Sequence, residues 1–139
     1  HSCPCLALVV GAPHQLVLKG LLDGPNTITI AATNQSGELV GFVAARKMIA
    51  MERWMLAPLF ADNVLIARGI LQAIFREMIA TDADRKFAMF EIFLTNPNAS
   101  VLAEQLNARP IYDMVRMFTK GPLEFKTEKV FGFCAGELG

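Results

Sequence analysis

The stretch RWMLAPLFADNVLIARGILQAIFREMIA, residues 53–80, constrains the fold more than any other part of the chain. It opens on RWMLAPLF, a short apolar run that reads as a strand, and passes through Ala61 and Asp62 into a helical pattern. Asn63 suits an N-cap, because its side-chain oxygen accepts from an amide of the first turn. Val64, Ala67, Ile70, Leu71, Ile74, Phe75 and Met78 then recur at helical spacing and cover more than one narrow stripe. The helix over 63–80 is therefore expected to be heavily buried against a sheet. FAMFEIFLT follows, a continuous apolar strand over 87–95 interrupted by Glu91. Strand, long apolar helix and strand in this order imply a parallel pair, because the crossover lays the helix on the sheet. Strands 53–59 and 87–95 are thus expected to be adjacent and parallel.

The rest of the chain adds antiparallel neighbours. NTITIAAT and ELVGFVAARKM are β-rich runs joined by NQSG, a tight-turn sequence, and read as a hairpin. Upstream, CLALVV reads as a short strand and HQLVLKGLL as a helix starting near Pro13 and stopped by Asp23-Gly24-Pro25. Downstream, NPNASVLAEQL reads as a short helix with Asn96 as N-cap and Pro97 at its first position. IYDMVRMF reads as the next strand and EKVFGFC as the last. The expected architecture is a single α/β layered domain with a mixed sheet, spanning residues 1–139.

Composition removes several function classes. The 139 residues suffice for one domain with a sizeable core. Thirteen basic residues balance thirteen acidic ones, so no global field draws in nucleic acid or an anionic membrane. No run reaches the ~18 consecutive apolar residues of a membrane span; the richest, 64–80, is broken by Arg68, Gln72, Arg76 and Glu77. Cys3 and Cys5 form a C-x-C pair with no second Cys/His cluster to complete a metal site, so no metal is expected. Three cysteines without a framework fit a reducing, intracellular and cytoplasmic setting. The chain opens without a basic leader or an initiator Met, which suggests a piece of a longer protein.

Two blocks of residues carry a family resemblance. Pro58, Ala61, Asp62 and Asn63 precede Ala67, Arg68 and Leu71, a pattern of the form P-x-x-A-D-[DN] followed by A-R-x-x-L. Asn96, Ala99 and Leu102 then match N-x-x-A-x-x-L, with Glu91 five positions before the Asn and Arg116-Met117 in the following expected strand. In this order and spacing, over about residues 37–120, the chain resembles the GNAT N-acetyltransferase superfamily. The nearest branch is a divergent one of C-terminal acetyltransferase-like domains in bacterial and nematode proteins. The resemblance implies a GNAT-like fold that binds acetyl-CoA or another acyl-CoA at the central strand–turn–helix and transfers the acyl group to an amine. It also implies cofactor contacts at Leu59, Phe60, Ala61, Asp62, Asn63, Val64, Leu65 and Ile66, with Asn96 and Ala99 from the second block. The sequence departs from the superfamily in three ways. The turn R-x-x-G-x-G/A is absent, Ala103 stands where many members carry a general-acid tyrosine, and the segment before the hairpin is short.

The turn poses the central chemical question. The first amides of a helix lack intrahelical acceptors, and the macrodipole adds positive potential there, so a pyrophosphate can bind without glycine. Asp62 places a negative charge close to that position, and Asp62 with Asn63 could equally be no more than helix caps. For acyl transfer, Glu91 is the base candidate, since a carboxylate in an apolar strand has its pKa raised by desolvation. Its alternative role is a structural pair with Arg116. Tyr112 is the only tyrosine and so the only phenol available as proton donor; otherwise it is a half-buried strand residue. Asp113 faces solvent in this reading. Cys134 lacks a paired His and packs beside Phe131 and Phe133, and His14 is structural. Met48, Met51, Met55 and Trp54 either line an acyl groove or fill core.

These features leave an acyl-CoA-dependent N-acetyltransferase as the leading reading. The rivals are a catalytically silent GNAT-fold domain that senses a ligand or partner, and a dimerisation domain that adds KVFGFCAGELG to a partner's sheet as a homodimer.

Overall fold

In the computed structural model, residues 23–115, 117, 121 and 126–132 are described. The hairpin forms as expected: β1, Thr27–Thr33, pairs antiparallel with β2, Leu39–Met48. Its turn is closed by local chemistry. The Asn34 carboxamide accepts from the Glu38 amide at 2.9 Å and donates to the Glu38 carboxylate at 2.7 Å. Gly37 takes the positive φ of 80° that the turn requires.

A single 3-10 turn, Ile49–Met51, leads from β2 into β3, Arg53–Ala61, which pairs antiparallel with β2. Between the pairs Val43↔Leu59 and Ala45↔Leu56, β3 carries one more residue than β2, a bulge at Ala57 and Pro58, joined by a cis peptide. Helix α1, Val64–Thr81, then crosses to β4, Ala88–Met89, which is parallel to β3 with Trp54 opposite Ala88 and Met55 opposite Met89. The adjacency and direction expected for these strands hold. Helix α2, Pro97–Gln105, follows, and a 3-10 turn, Thr127–Lys129, leads into β5, Val130–Gly132. The described strands form a mixed sheet ordered β1-β2-β3-β4, with β5 antiparallel to β3.

The core lies between the sheet and α1. Ala67, Ile70, Leu71, Ile74 and Met78 line one side of the helix and pack on Val43, Ala45, Trp54, Leu56, Leu59 and Ala61. Phe42, Ala44, Met55 and Phe60 are buried on the other face, with the Phe42 and Phe60 rings 5.2 Å apart. Trp54 and Met55 therefore fill core, which settles the alternative left open for them.

Two expected strands are corrected. The run 87–95 is strand only at Ala88–Met89; residues 90–93 carry no regular structure. The Trp54 amide donates to Phe87 O at 2.9 Å, which fastens the start of this short parallel pair. Beyond Met55 the parallel ladder stops, and at Leu59 and Phe60 the outer edge of β3 is taken by β5. IYDMVRMF is also not a strand where described: residues 111–115 are irregular and exposed. A two-residue β4 offers almost no edge for another strand to pair with. CLALVV, the helix HQLVLKGLL, Cys3, Cys5, His14, Arg116, Phe133 and Cys134 lie outside the described residues.

Polar contacts fasten the end of the crossover. Asp82 caps α1, pairs with Lys47 and Arg85 at 3.2 Å each, and Arg85 donates to Met48 O at 3.1 Å. Lys47 also lies over the Trp54 ring, 5.3 Å from its centroid. The Arg85 hydrogen bond, then that from Lys47, holds the Asp82 carboxyl below its ordinary value of 3.8. A lowered folded pKa gives stability that is full above the unfolded value and lost as the pH falls through the folded one. Asp82→Asn should therefore lower the melting temperature near neutral pH, and the gap should close on acidification below about pH 4. Thermal melts of both proteins across that range check it. In urea titrations, Ile74→Ala should cost about 2–5 kcal/mol. Ile79→Ala, at a position 67% exposed, should stay within about 0.5 kcal/mol.

Candidate cofactor site

The site is built where β3 turns into α1. The Asp62 amide donates to Val40 O at 2.8 Å, which ties the turn to β2. Gly41 lets the turn approach closely: a Cβ there would stand 2.9 Å from Ile66 Cγ2 and 3.1 Å from Phe60 O. Asn63 is the N-cap, extended at φ −157°, and its side-chain oxygen accepts from the Ile66 amide at 3.0 Å. The Ala67 amide already donates to Asn63 O. The helix start thus leaves the amides of Asn63, Val64 and Leu65 without an intrahelical acceptor. Asp62, Asn63 and Leu65 are exposed and Val64 is half-buried, so the helix start lies at the surface.

The expected cofactor residues divide into two groups. Asp62, Asn63, Val64, Leu65 and Ile66 form the helix start, where Val64 and Ile66 are half-buried against the core and the others are exposed. Leu59, Phe60 and Ala61 are buried, and Leu59 and Phe60 pair with Gly132 and Val130 of β5. Any ligand they meet is met through backbone. Asn96 and Ala99 are 0% exposed. The Asn96 carboxamide is fully engaged: its oxygen accepts from the Asn98 amide at 3.1 Å, and its nitrogen donates to Val130 O at 2.9 Å and Glu128 O at 3.3 Å. It clips the start of α2 to β5 and presents nothing to the surface.

Of the expected catalytic pair, Glu91 follows β4 on an irregular run whose neighbours Phe90 and Ile92 pack on the core. Glu91 is half-buried and already engaged in an interaction. Tyr112 is 56% exposed on the irregular run 111–115, not half-buried in a strand. Asp113 is exposed, as expected.

One residue escaped the sequence reading. Lys129, in the 3-10 turn before β5, places its Nζ 2.7 Å from Asp62 Oδ1. The ion pair neutralises the carboxylate that argued against an anion at this turn. Among the described residues no group of His, Cys, Asp and Glu could hold a metal ion, and no helix is long and apolar enough to cross a membrane. Asn96→Ala should leave the Val130 and Glu128 carbonyls without this donor and lower unfolding stability by about 1–3 kcal/mol, as read by urea denaturation.

A family model described as an acetyltransferase (GNAT) domain matches residues 7–132. Comparison with curated proteins and with solved structures gave no match.

Proposed function

Because the chain belongs to the GNAT acetyltransferase family, we propose that it is an N-acetyltransferase using acetyl-CoA, or another acyl-CoA, and an amine acceptor. The observation that carries this reading is the start of α1 at the end of β3, where the Asn63, Val64 and Leu65 amides have no intrahelical acceptor. A pyrophosphate accepts hydrogen bonds from those amides and gains from the helix dipole. The backbone from Leu59 to Ile66 holds the cofactor in this proposal. Asn96 and Ala99 act indirectly, through the position of β5 and α2.

The chemistry is nucleophilic substitution at a thioester. The amine nitrogen bonds to the carbonyl carbon, the C–S bond breaks, the amine loses a proton and the thiolate gains one. We assign the first proton to the Glu91 carboxylate and the second to Tyr112. Glu91→Gln keeps size and most hydrogen bonding while removing the base. It should retain acyl-CoA affinity and lower acetyl transfer to a responsive amine by about 100-fold or more, measured by thiol release. Unchanged turnover would remove Glu91 from the mechanism.

A second reading, a GNAT-fold domain that binds acyl-CoA without turning it over, is favoured by Ala103 and by the exposure of Tyr112 on an irregular run. Saturable binding without transfer to any of a panel of amines would select it. We further propose an intracellular, cytoplasmic setting, a single domain over 1–139, and a homodimer through KVFGFCAGELG, whose residues after Gly132 lie outside the described ones, which light scattering checks. Val130–Gly132 is itself paired with β3 of the same chain.

A further inference from the structure

We propose that Lys129 is a cofactor-binding residue, whose ammonium holds the phosphate groups of the acyl carrier and selects coenzyme A thioesters over phosphate-free pantetheine thioesters. This rests on the acyl-CoA reading above. Three observations place a fixed cation at the helix start.

The first is charge. The opening turn of α1, Val64 to Ala67, contains no basic side chain, and Asp62 stands immediately before the N-cap. A helix N-terminus carries about half an elementary positive charge, which a neighbouring carboxylate more than offsets. With the Lys129 ammonium 2.7 Å from Asp62 Oδ1, the side chains sum to zero and the helix potential again favours an anion.

The second is anchorage. The Lys129 amide donates to Lys126 O at 3.1 Å. Val130 O and Glu128 O receive the buried Asn96 carboxamide. Phe131 is fully buried in the α1-side core, and a Cβ on Gly132 would stand 2.9 Å from Leu59 Cβ. The backbone is thereby held on one side of Lys129 by β3 and on the other by Asn96 at the start of α2, and its ammonium stays within reach of the turn.

The third is access. The side chains of Lys129 and Asp62 are 33% and 44% exposed, so the pair is open to solvent. An ammonium has three donors; Asp62 uses one, and the others are available to phosphate oxygens. In the free protein Asp62 stands in for the anion and keeps the lysine oriented.

The test compares coenzyme A with pantetheine by calorimetry on wild type, Lys129→Ala, Lys129→Arg and Asp62→Asn, each first shown to be folded by circular dichroism. Lys129→Ala should weaken coenzyme A binding by about tenfold and leave pantetheine binding unchanged. Lys129→Arg should recover most of the loss, and Asp62→Asn should tighten coenzyme A binding. Wild-type affinity in Lys129→Ala, or equal losses for both ligands, would overturn the proposal while leaving the acyl-CoA reading intact. Failure of the wild type to bind coenzyme A would overturn both.

Discussion

Strand β3 is buried along most of its length, and each backbone group on its two edges needs a partner. One edge is served by β2 throughout. The other changes hands: β4 holds it at Trp54 and Met55, and β5 holds it at Leu59 and Phe60. The change falls between Met55 and Leu59, across the bulge at Ala57 and Pro58 that re-aims the backbone. From this switch follow the shortness of β4, the departure of the chain through Glu91 toward α2, and the docking of β5 beside the start of α1. The buried Asn96 carboxamide maintains the arrangement from the α2 side.

The same switch sets the electrostatics of the candidate site. A helix-end interaction with an exposed anion is worth about 0.3–1 kcal/mol, and an opposed carboxylate at short range has an effect of similar size. The sign of the balance is decided by whether Asp62 has a counter-charge. β5 supplies it, because pairing with Leu59 and Phe60 brings the preceding residue, Lys129, over the turn. An anion site without glycine is then consistent with the physics, its close approach served by Gly41 on the neighbouring strand.

Features governed by local chemistry were legible in the sequence. The Asn34–Gly37 turn, the Asn63 cap, the Asn96-Pro97 helix start and the parallel crossover all appear where the residues place them. What was not legible depended on partners far along the chain. FAMFEIFLT has the composition of a full strand, yet it pairs only at Ala88–Met89, because β5 takes the same edge of β3 at Leu59 and Phe60. Residues 111–115 have strand composition and are irregular and exposed. Asn96 has the look of a ligand contact and is instead consumed by two carbonyls of the segment at Glu128 and Val130. Lys129 lies 67 positions from Asp62, and no spacing rule connects them.

The central claim is that the amides opening α1 receive the phosphates of an acyl-CoA. Titrating isotopically labelled protein with acetyl-CoA and following backbone amide resonances tests it most directly. The account predicts saturable shifts at Asn63, Val64 and Leu65, the amides left without an intrahelical acceptor. Saturable binding that leaves these resonances unmoved, with shifts elsewhere on the sheet, would contradict it.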